Sequence, residues 1–193
     1  LSAGPGGDLQ FRWRPSVAES MVDRTLTARS NTIVDVQEEA VHVVWDVTLQ
    51  FRRGQRDIFQ FILPTTFQVE DVIGTNVRGW DANEEEGQQL VNVELLEAAR
   101  DQVQLRMHLV RHGAVGQEGM DQFDVPVIVI PDAMLHQGRL AIRRTPLITL
   151  HTESVEAVTR DDLGEALAQA FQTREDARLS PLGLQHYQTY PFS

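Results

Sequence analysis

From Val41 to Phe51 the chain alternates in character at all but one residue. Val41, Val43, Trp45, Val47, Leu49 and Phe51 are apolar, His42, Asp46, Thr48 and Gln50 stand between them, and Val44 is the one exception. Successive side chains of a strand point to opposite faces, whereas a helix returns to the same face about every 3.6 residues. The segment is therefore predicted to be a strand with one face buried. Its apolar set is large and partly β-branched, which suits a pleated surface. Burying these side chains contributes on the order of 10 kcal/mol before chain entropy is set against it. A slip of one residue would turn His42, Asp46 and Gln50 toward the core, so the register is strongly specified.

The same rhythm recurs along the chain. Arg52-Arg53-Gly54-Gln55 reads as a turn and Asp57–Leu63 as the next strand, so 41–51 and 57–63 are expected to form a hairpin. Pro64 has no N–H to give a ladder and should end that strand or place it at an edge. Further strands are expected at Phe67–Ile73, Val77–Trp80, Gln89–Leu95, Val103–Leu109, Phe123–Val129, Gly138–Arg143 and Leu147–His151, with Val155–Val158 a last candidate. Upstream, Val22–Ala28 and Ile33–Val36 are two more. Gly113, Gly116 and Gly119 mark 111–122 as a loop. Roughly ten strands at short spacing, with no helical pattern before residue 160, predict an all-β antiparallel β-sandwich.

The pattern changes at Asp161. Asp161 and Asp162 suit a helix N-terminus, and Leu163, Leu167, Ala170 and Phe171 then fall on one helical face. One short C-terminal helix is expected, ending before Ser180-Pro181. The tail, Leu182–Phe192, holds both tyrosines and reads as extended. It either pairs back on the sandwich as an edge or lacks a partner lost to truncation. The organisation expected is thus a glycine-rich linker or fragment edge at 1–8, a sandwich at 9–160, and the helix with its aromatic tail at 161–193. The lead has neither the basic nor the apolar region of a signal peptide.

Two missing residue types restrict the chemistry. The chain has no cysteine and no lysine. That excludes disulfides, thiol catalysis and cysteine-rich zinc sites, and also Schiff-base chemistry and the lysine of a phosphate-binding P-loop. The net charge of −11 leaves no room for a uniformly basic face, which argues against nucleic acid and anionic membranes as partners. The small clusters Arg52, Arg53, Arg56 and Arg139, Arg143, Arg144 read as solvated turns and strand ends. No stretch approaches the roughly 18 apolar residues of a membrane span.

Candidate sites are few. Asp81, Asn83 and Glu85 alternate as in a calcium loop, but Glu86 stands where such a loop needs glycine and Asn92 where it needs a bidentate Glu, so an exposed acidic turn is the better reading. His108 and His112 are four apart in a strand, about 13 Å, too far to share one metal. His42 and His151 read as isolated solvent-face histidines. No serine sits in a Gly-x-Ser-x-Gly elbow, and His151 and Ser154 would point to opposite faces. Of the tryptophans, Trp45 is expected in the core, leaving Trp80, beside Gly79, as a platform for a sugar, with rim packing the simpler alternative. No cofactor is expected.

The order of segments resembles β-sandwich modules found in tandem in large exported bacterial proteins of unknown function. The likeness rests on Val41–Phe51, on Phe59–Pro64 followed by Val69–Val72 and Gly79-Trp80, on Gln137–Ile142, and on the aromatic run Leu184–Tyr190 after a short helix. It covers about residues 22–192. A similar rhythm occurs in the N-terminal β-domain of some metallopeptidases, whose catalytic helix motif this chain lacks. The resemblance implies an extracytoplasmic, non-catalytic structural or interaction module whose partners are neighbouring modules or another protein, and it transfers no functional residue. A carbohydrate-binding module is the alternative, and an accessory or catalytic domain of a hydrolase a third.

Overall fold

The structure, a computed structural model, describes residues 26–52, 54–113, 122–154, 176, 178–179 and 188–192. Among them are nine strands and no helix: β1 (Thr27–Val36), β2 (Ala40–Gln50), β3 (Arg56–Pro64), β4 (Gln68–Ile73), β5 (Val77–Glu85), β6 (Gln88–Ala99), β7 (Gln102–His112), β8 (Leu135–Arg144) and β9 (Gln188–Phe192). They form two sheets. The larger has six strands in the order β4-β7-β2-β1-β8-β9, and the smaller has three in the order β3-β6-β5.

The long alternating strand lies inside the larger sheet, paired with β1 on one side and β7 on the other. Val41, Val43, Trp45, Val47 and Leu49 are buried, as the alternation requires. The inner faces of both sheets supply one core. Trp45 of β2 meets Phe61 of β3 edge to face, with ring centroids 5.4 Å apart, and Phe51 meets Phe59 at 6.1 Å. This two-layered, sandwich-like arrangement also corrects the hairpin expected of 41–51 and 57–63. Those segments belong to opposite sheets and face each other across the core. The chain leaves the large sheet at Phe51, whose N–H bonds the Asp101 carbonyl at 2.9 Å, and turns through Gly54 at φ 89°. Alternation marks a buried face but does not say whether the next strand lies beside that face or opposite it.

Other expectations are revised. Residues 22–25 of the expected strand Val22–Ala28 lie outside the described residues; from Thr27 the chain runs on without a break to Val36, because the polar run Arg29-Ser-Asn-Thr32 keeps full ladders on both sides. Its pairing with β8 is parallel, so the sheet is not wholly antiparallel. β5 continues through Glu85, beyond the short strand expected at 77–80. Phe123–Val129 is not a strand. Pro126 lacks a donor, and the segment touches β3 only through the pair of bonds between Ile62 and Val129, both 2.9 Å. Its phase also shifts, so that Ile128 and Ile130 are buried while Val127 and Val129 are exposed. Leu147–His151 joins no ladder, and Leu147 is 85% exposed. The helix expected from Asp161 and the strand candidate Val155–Val158 lie outside the described residues.

The described end of the tail pairs back, antiparallel, on β8 as the edge strand β9. Gly138 makes this fit. A Cβ there would stand 2.5 Å from a ring carbon of Phe192, 2.5 Å from the Ser30 hydroxyl oxygen and 2.8 Å from the Ser30 carbonyl oxygen. At the other end of the molecule, β5 and β6 are joined by Glu86-Gly87 with φ of 51° and 78°, a two-residue turn of the primed kind whose twist matches the strands.

Candidate interaction surface

The two outer faces differ. On the larger sheet, β1, β2, β7 and β8 bury Ile33, Val44, Val110 and Ala141 on the side away from the core. Charged residues on this side are taken up by one another. Asp46 and Arg106 are cross-strand neighbours and form a two-point pair, Nε to Oδ1 at 2.7 Å and Nη2 to Oδ2 at 3.1 Å. That hydrogen bond raises the Arg106 guanidinium above its ordinary pKa against the opposing effect of burial. Asp35 and Arg143 are neighbours across the parallel β1–β8 ladder, and both are buried. Arg143 Nη2 donates to Asp35 Oδ2 at 3.0 Å, and the Gln37 amide donates to the same oxygen at 2.9 Å. Arg143 is thus a structural partner, not the solvated strand-end residue expected of its cluster.

His108 is also buried, not on a solvent face as the alternation suggested. Its Nδ1 lies 3.0 Å from Nη1 of Arg178 and its Nε2 lies 2.7 Å from Oδ2 of Asp176. A guanidinium only donates, so Nδ1 accepts and Nε2 carries the proton toward the carboxylate. Both ring nitrogens are used, which leaves the imidazole no free position for acid–base work. Burial alone would push the Asp176 carboxyl up. The Arg178 backbone N–H, the His108 bond and the Arg106 charge outweigh it and hold the group below its ordinary value. Arg178 extends the network to Glu70 on β4 at 3.4 Å. Asp176 and Arg178 thereby tie a distant stretch of chain to this face.

Among the described residues, the outer face of the smaller sheet is open. Phe59, Phe61 and Leu63 point into the core, which turns Ile58, Gln60 and Ile62 outward. On the facing strand, Val91, Val93 and Leu95 point in, and Leu90, Asn92, Glu94 and Leu96 point out. Rows of outward side chains therefore cross the sheet. Along one row the Gln60 amide donates to Asn92 Oδ1 at 3.0 Å, Asn92 donates to Asp81 at 3.0 Å, and Asn83 donates to the same Asp81 oxygen at 2.8 Å. Ile62, paired with Leu90 and bridged to Val129, makes the neighbouring row. Ile58 is 58% exposed, Leu96 56%, Val127 70% and Val129 47%. Along β3 the face carries Ile58 and Ile62 with Gln60 between them, and along β5 it is acidic.

The residues singled out from the sequence are placed as follows. Asp81, Asn83 and Glu85 lie along β5 and lead into the Glu86-Gly87 turn instead of forming it. Extended backbone spaces them as a row, and Asp81 already accepts two amide hydrogen bonds. Trp80 pairs with Val93 on the core-facing side and packs half-buried against the core. His42 is half-buried, and His112, His151 and Ser154 are exposed. Among the described residues no group of three His, Asp or Glu side chains gathers as a metal site. No helix among them is long and apolar enough to cross a membrane. The described residues form shallow depressions. One of about 210 Å³ lies where Thr75, Asn76 and Val77 approach Gln102–Leu105, and one of about 400 Å³ lies beside Phe67, Arg111 and Phe123. In the second, the Arg111 guanidinium stands 5.6 Å from the Phe123 ring centre, a cation–π contact.

The sequence did not point to the pairing of Asp35 with Arg143 or of His108 with Asp176, nor to the open apolar strip. The signals were present. Asp35 interrupts the apolar run Ile33–Val36, and Ile58 and Ile62 occupy the polar phase of their strand.

No family model matches the chain, and no curated protein does. Similar solved structures include an M1 zinc metallopeptidase from Deinococcus radiodurans, at 11% identity and TM-score 0.42, covering 88% of this chain and 39% of that one. Native yeast LTA4 hydrolase is similar at 11% identity and TM-score 0.44, over 92% of this chain and 29% of that one. A non-cellulosomal cohesin from Archaeoglobus fulgidus is similar at 17% identity and TM-score 0.34, over 61% of this chain and 91% of that one. The chain thus spans well under half the length of the metallopeptidase and the hydrolase. Likeness at this level assigns neither an activity nor a partner.

Proposed function

We propose that the chain is a non-catalytic β module that serves as a structural or protein-interaction unit of a larger exported protein. The observation that carries the interaction role is the contrast between the two outer faces. The larger sheet turns its charges on one another and buries Ile33, Val44 and Val110 between them, leaving Ile73 and Leu135 half-exposed only at strand ends, while Ile58 and Leu96 of the smaller sheet and the adjoining Val127 and Val129 stand in solvent. Such an exposed apolar strip, interrupted only by Gln60 between Ile58 and Ile62, costs solubility and suits a surface that another molecule covers. The export element rests on the resemblance of the strand order to tandem modules of exported proteins. Selection against a random displayed-peptide library tests the interaction role. Enrichment of a sequence class that binds the folded chain is expected, and absence of any enriched class would refute it.

A second reading, carbohydrate binding, draws on the Gln60–Asn92–Asp81–Asn83 row, because carboxamides and a carboxylate on a flat face suit sugar hydroxyls. A glycan array decides between the two. A signal lost on Asp81→Ala would favour the sugar reading over the protein one.

A further inference from the structure

We infer that the outer face of the smaller sheet receives an amphipathic helix whose apolar side lies along β3 and whose Arg or Lys flank lies over β5. This rests on the interaction role proposed above and adds the surface and the chemistry of its partner. The apolar half of the face is a strip formed by Leu96, Ile58, Ile62, Val129 and Val127. Ile58 pairs with Glu94 beside the β3–β6 bulge with Leu96 two residues further along β6, Ile62 and Val129 exchange both backbone bonds, and Val127 shares the phase of Val129. The acidic half lies along β5 and its turn. Asp81 and Glu85 are on the outer face, and Glu84 and Glu86 are exposed beside them. Among the described residues, the basic residue on this margin, Arg78, is already paired with Glu94 at 2.8 Å.

The geometry favours a helix laid on the face. From β3 to β5 is two strand spacings, about 10 Å. That is close to the width of one helix with its side chains, about 10–12 Å. A single helix resting on the β3 strip therefore presents its flank to β5. A strand added at the β3 edge is disfavoured, because Val129 already occupies the ladder positions of Ile62 there.

Charge and area argue against a second copy of this chain as the occupant. The exposed apolar strip amounts to roughly 400 Å², about half of what one partner of a stable complex contributes. The missing half would have to come from the acidic margin, and a symmetric pair built on this face brings two such margins into one interface. A partner with a cationic flank uses both halves at once and is drawn in by the negative field.

The test uses the full chain and a synthetic amphipathic helix of about 18 residues, roughly 27 Å, with a leucine-rich face and arginines along one flank. A control peptide keeps the leucines and carries Glu for Arg. Binding is followed by fluorescence anisotropy and mapped by amide chemical shifts. The arginine peptide should bind with shifts at Ile58, Asp81 and Val129, weaken as salt rises, and lose about tenfold in affinity with Val129→Glu and several-fold with Glu85→Gln. Both substitutions are at exposed positions, and a thermal melt matching wild type confirms folding. Should Val129→Glu fail to fold, Val127→Glu replaces it. Equal binding of the control peptide, shifts on another surface or no binding would overturn the helix proposal. Enrichment of other peptides from the library would then still uphold the interaction role. A dimer in sedimentation velocity that Ile58→Glu abolishes would also overturn the proposal, because a second copy would be the occupant.

Discussion

Asp35 and Arg143 provide the sharpest test of how the larger sheet is held together. Asp35 is 0% exposed and Arg143 5%, and they are in register on the parallel β1–β8 ladder. Nη2 to Oδ2 is 3.0 Å and Nε to Oδ1 is 2.9 Å. At such a separation the attraction is about 5–6 kcal/mol for an effective dielectric near 20. Desolvation of each ion costs several kcal/mol, so the pair as a whole adds little net stability. Removing one partner keeps the desolvation cost of the other and loses the attraction. Arg143→Met and Asp35→Leu should therefore each destabilise by about 3–5 kcal/mol, while the double variant should return to within about 1 kcal/mol of wild type. Urea unfolding at pH 7 measures this, followed by circular dichroism and by tryptophan fluorescence, which reports on the buried Trp45. A coupling energy of about 3 kcal/mol or more in the cycle is the expected result. Single variants that each cost less than about 1 kcal/mol, or a double variant that is simply additive, would refute the reasoning.

Three further outcomes follow from local geometry. Gly138→Ala should cost about 1–3 kcal/mol, because the new methyl meets the Ser30 carbonyl as well as the movable Phe192 ring; a melt equal to wild type would show that β9 does not press on β8 as described. Glu86→Asn should stabilise by about 0.5–1 kcal/mol, since Glu86 holds φ 51° in a turn that favours Asn-Gly; unchanged unfolding in urea would rule out that turn. Burial lowers the His136 pKa, so the unfolded chain takes up this proton at a higher pH than the folded one. Stability should fall as pH drops through the ordinary histidine value near 6.5, and His136→Phe should flatten that part of the stability–pH curve; an unchanged slope would remove His136 from the account.

Much of the fold was legible because burial imposes a period of two on every strand with one face in the core. Val41–Leu49 and Val103–Leu109 face inward as their alternation says. What alternation cannot encode is which strand lies beside which. The segments 41–51 and 57–63 look like a hairpin by spacing, yet the chain crosses between sheets at Phe51, held by a bond to Asp101 far along the sequence. The parallel pairing of β1 with β8 joins residues more than a hundred positions apart, and no local pattern announces it. Polar residues mislead for a related reason. Arg143 and His108 look like solvent-face positions until Asp35 and Asp176 are brought against them by tertiary structure. The candidate surface was visible only as an anomaly, apolar residues at 58 and 62 on the polar phase of a strand.

The two outer faces should also respond differently to substitution. On the larger sheet, Ile33, Val44 and Val110 are buried between paired charges, so truncating them removes packed contacts and lowers stability. On the smaller sheet, Ile58 and Val129 lose little packing when made polar, and polar replacements there reduce an exposed apolar strip. Natural sequences do not keep such a strip for stability, because it contributes almost nothing to the isolated chain and promotes association. On the proposed reading, a partner covers it together with the acidic margin. A scan in which stability losses collect on the larger sheet and binding losses on the smaller one is the pattern this division of labour requires.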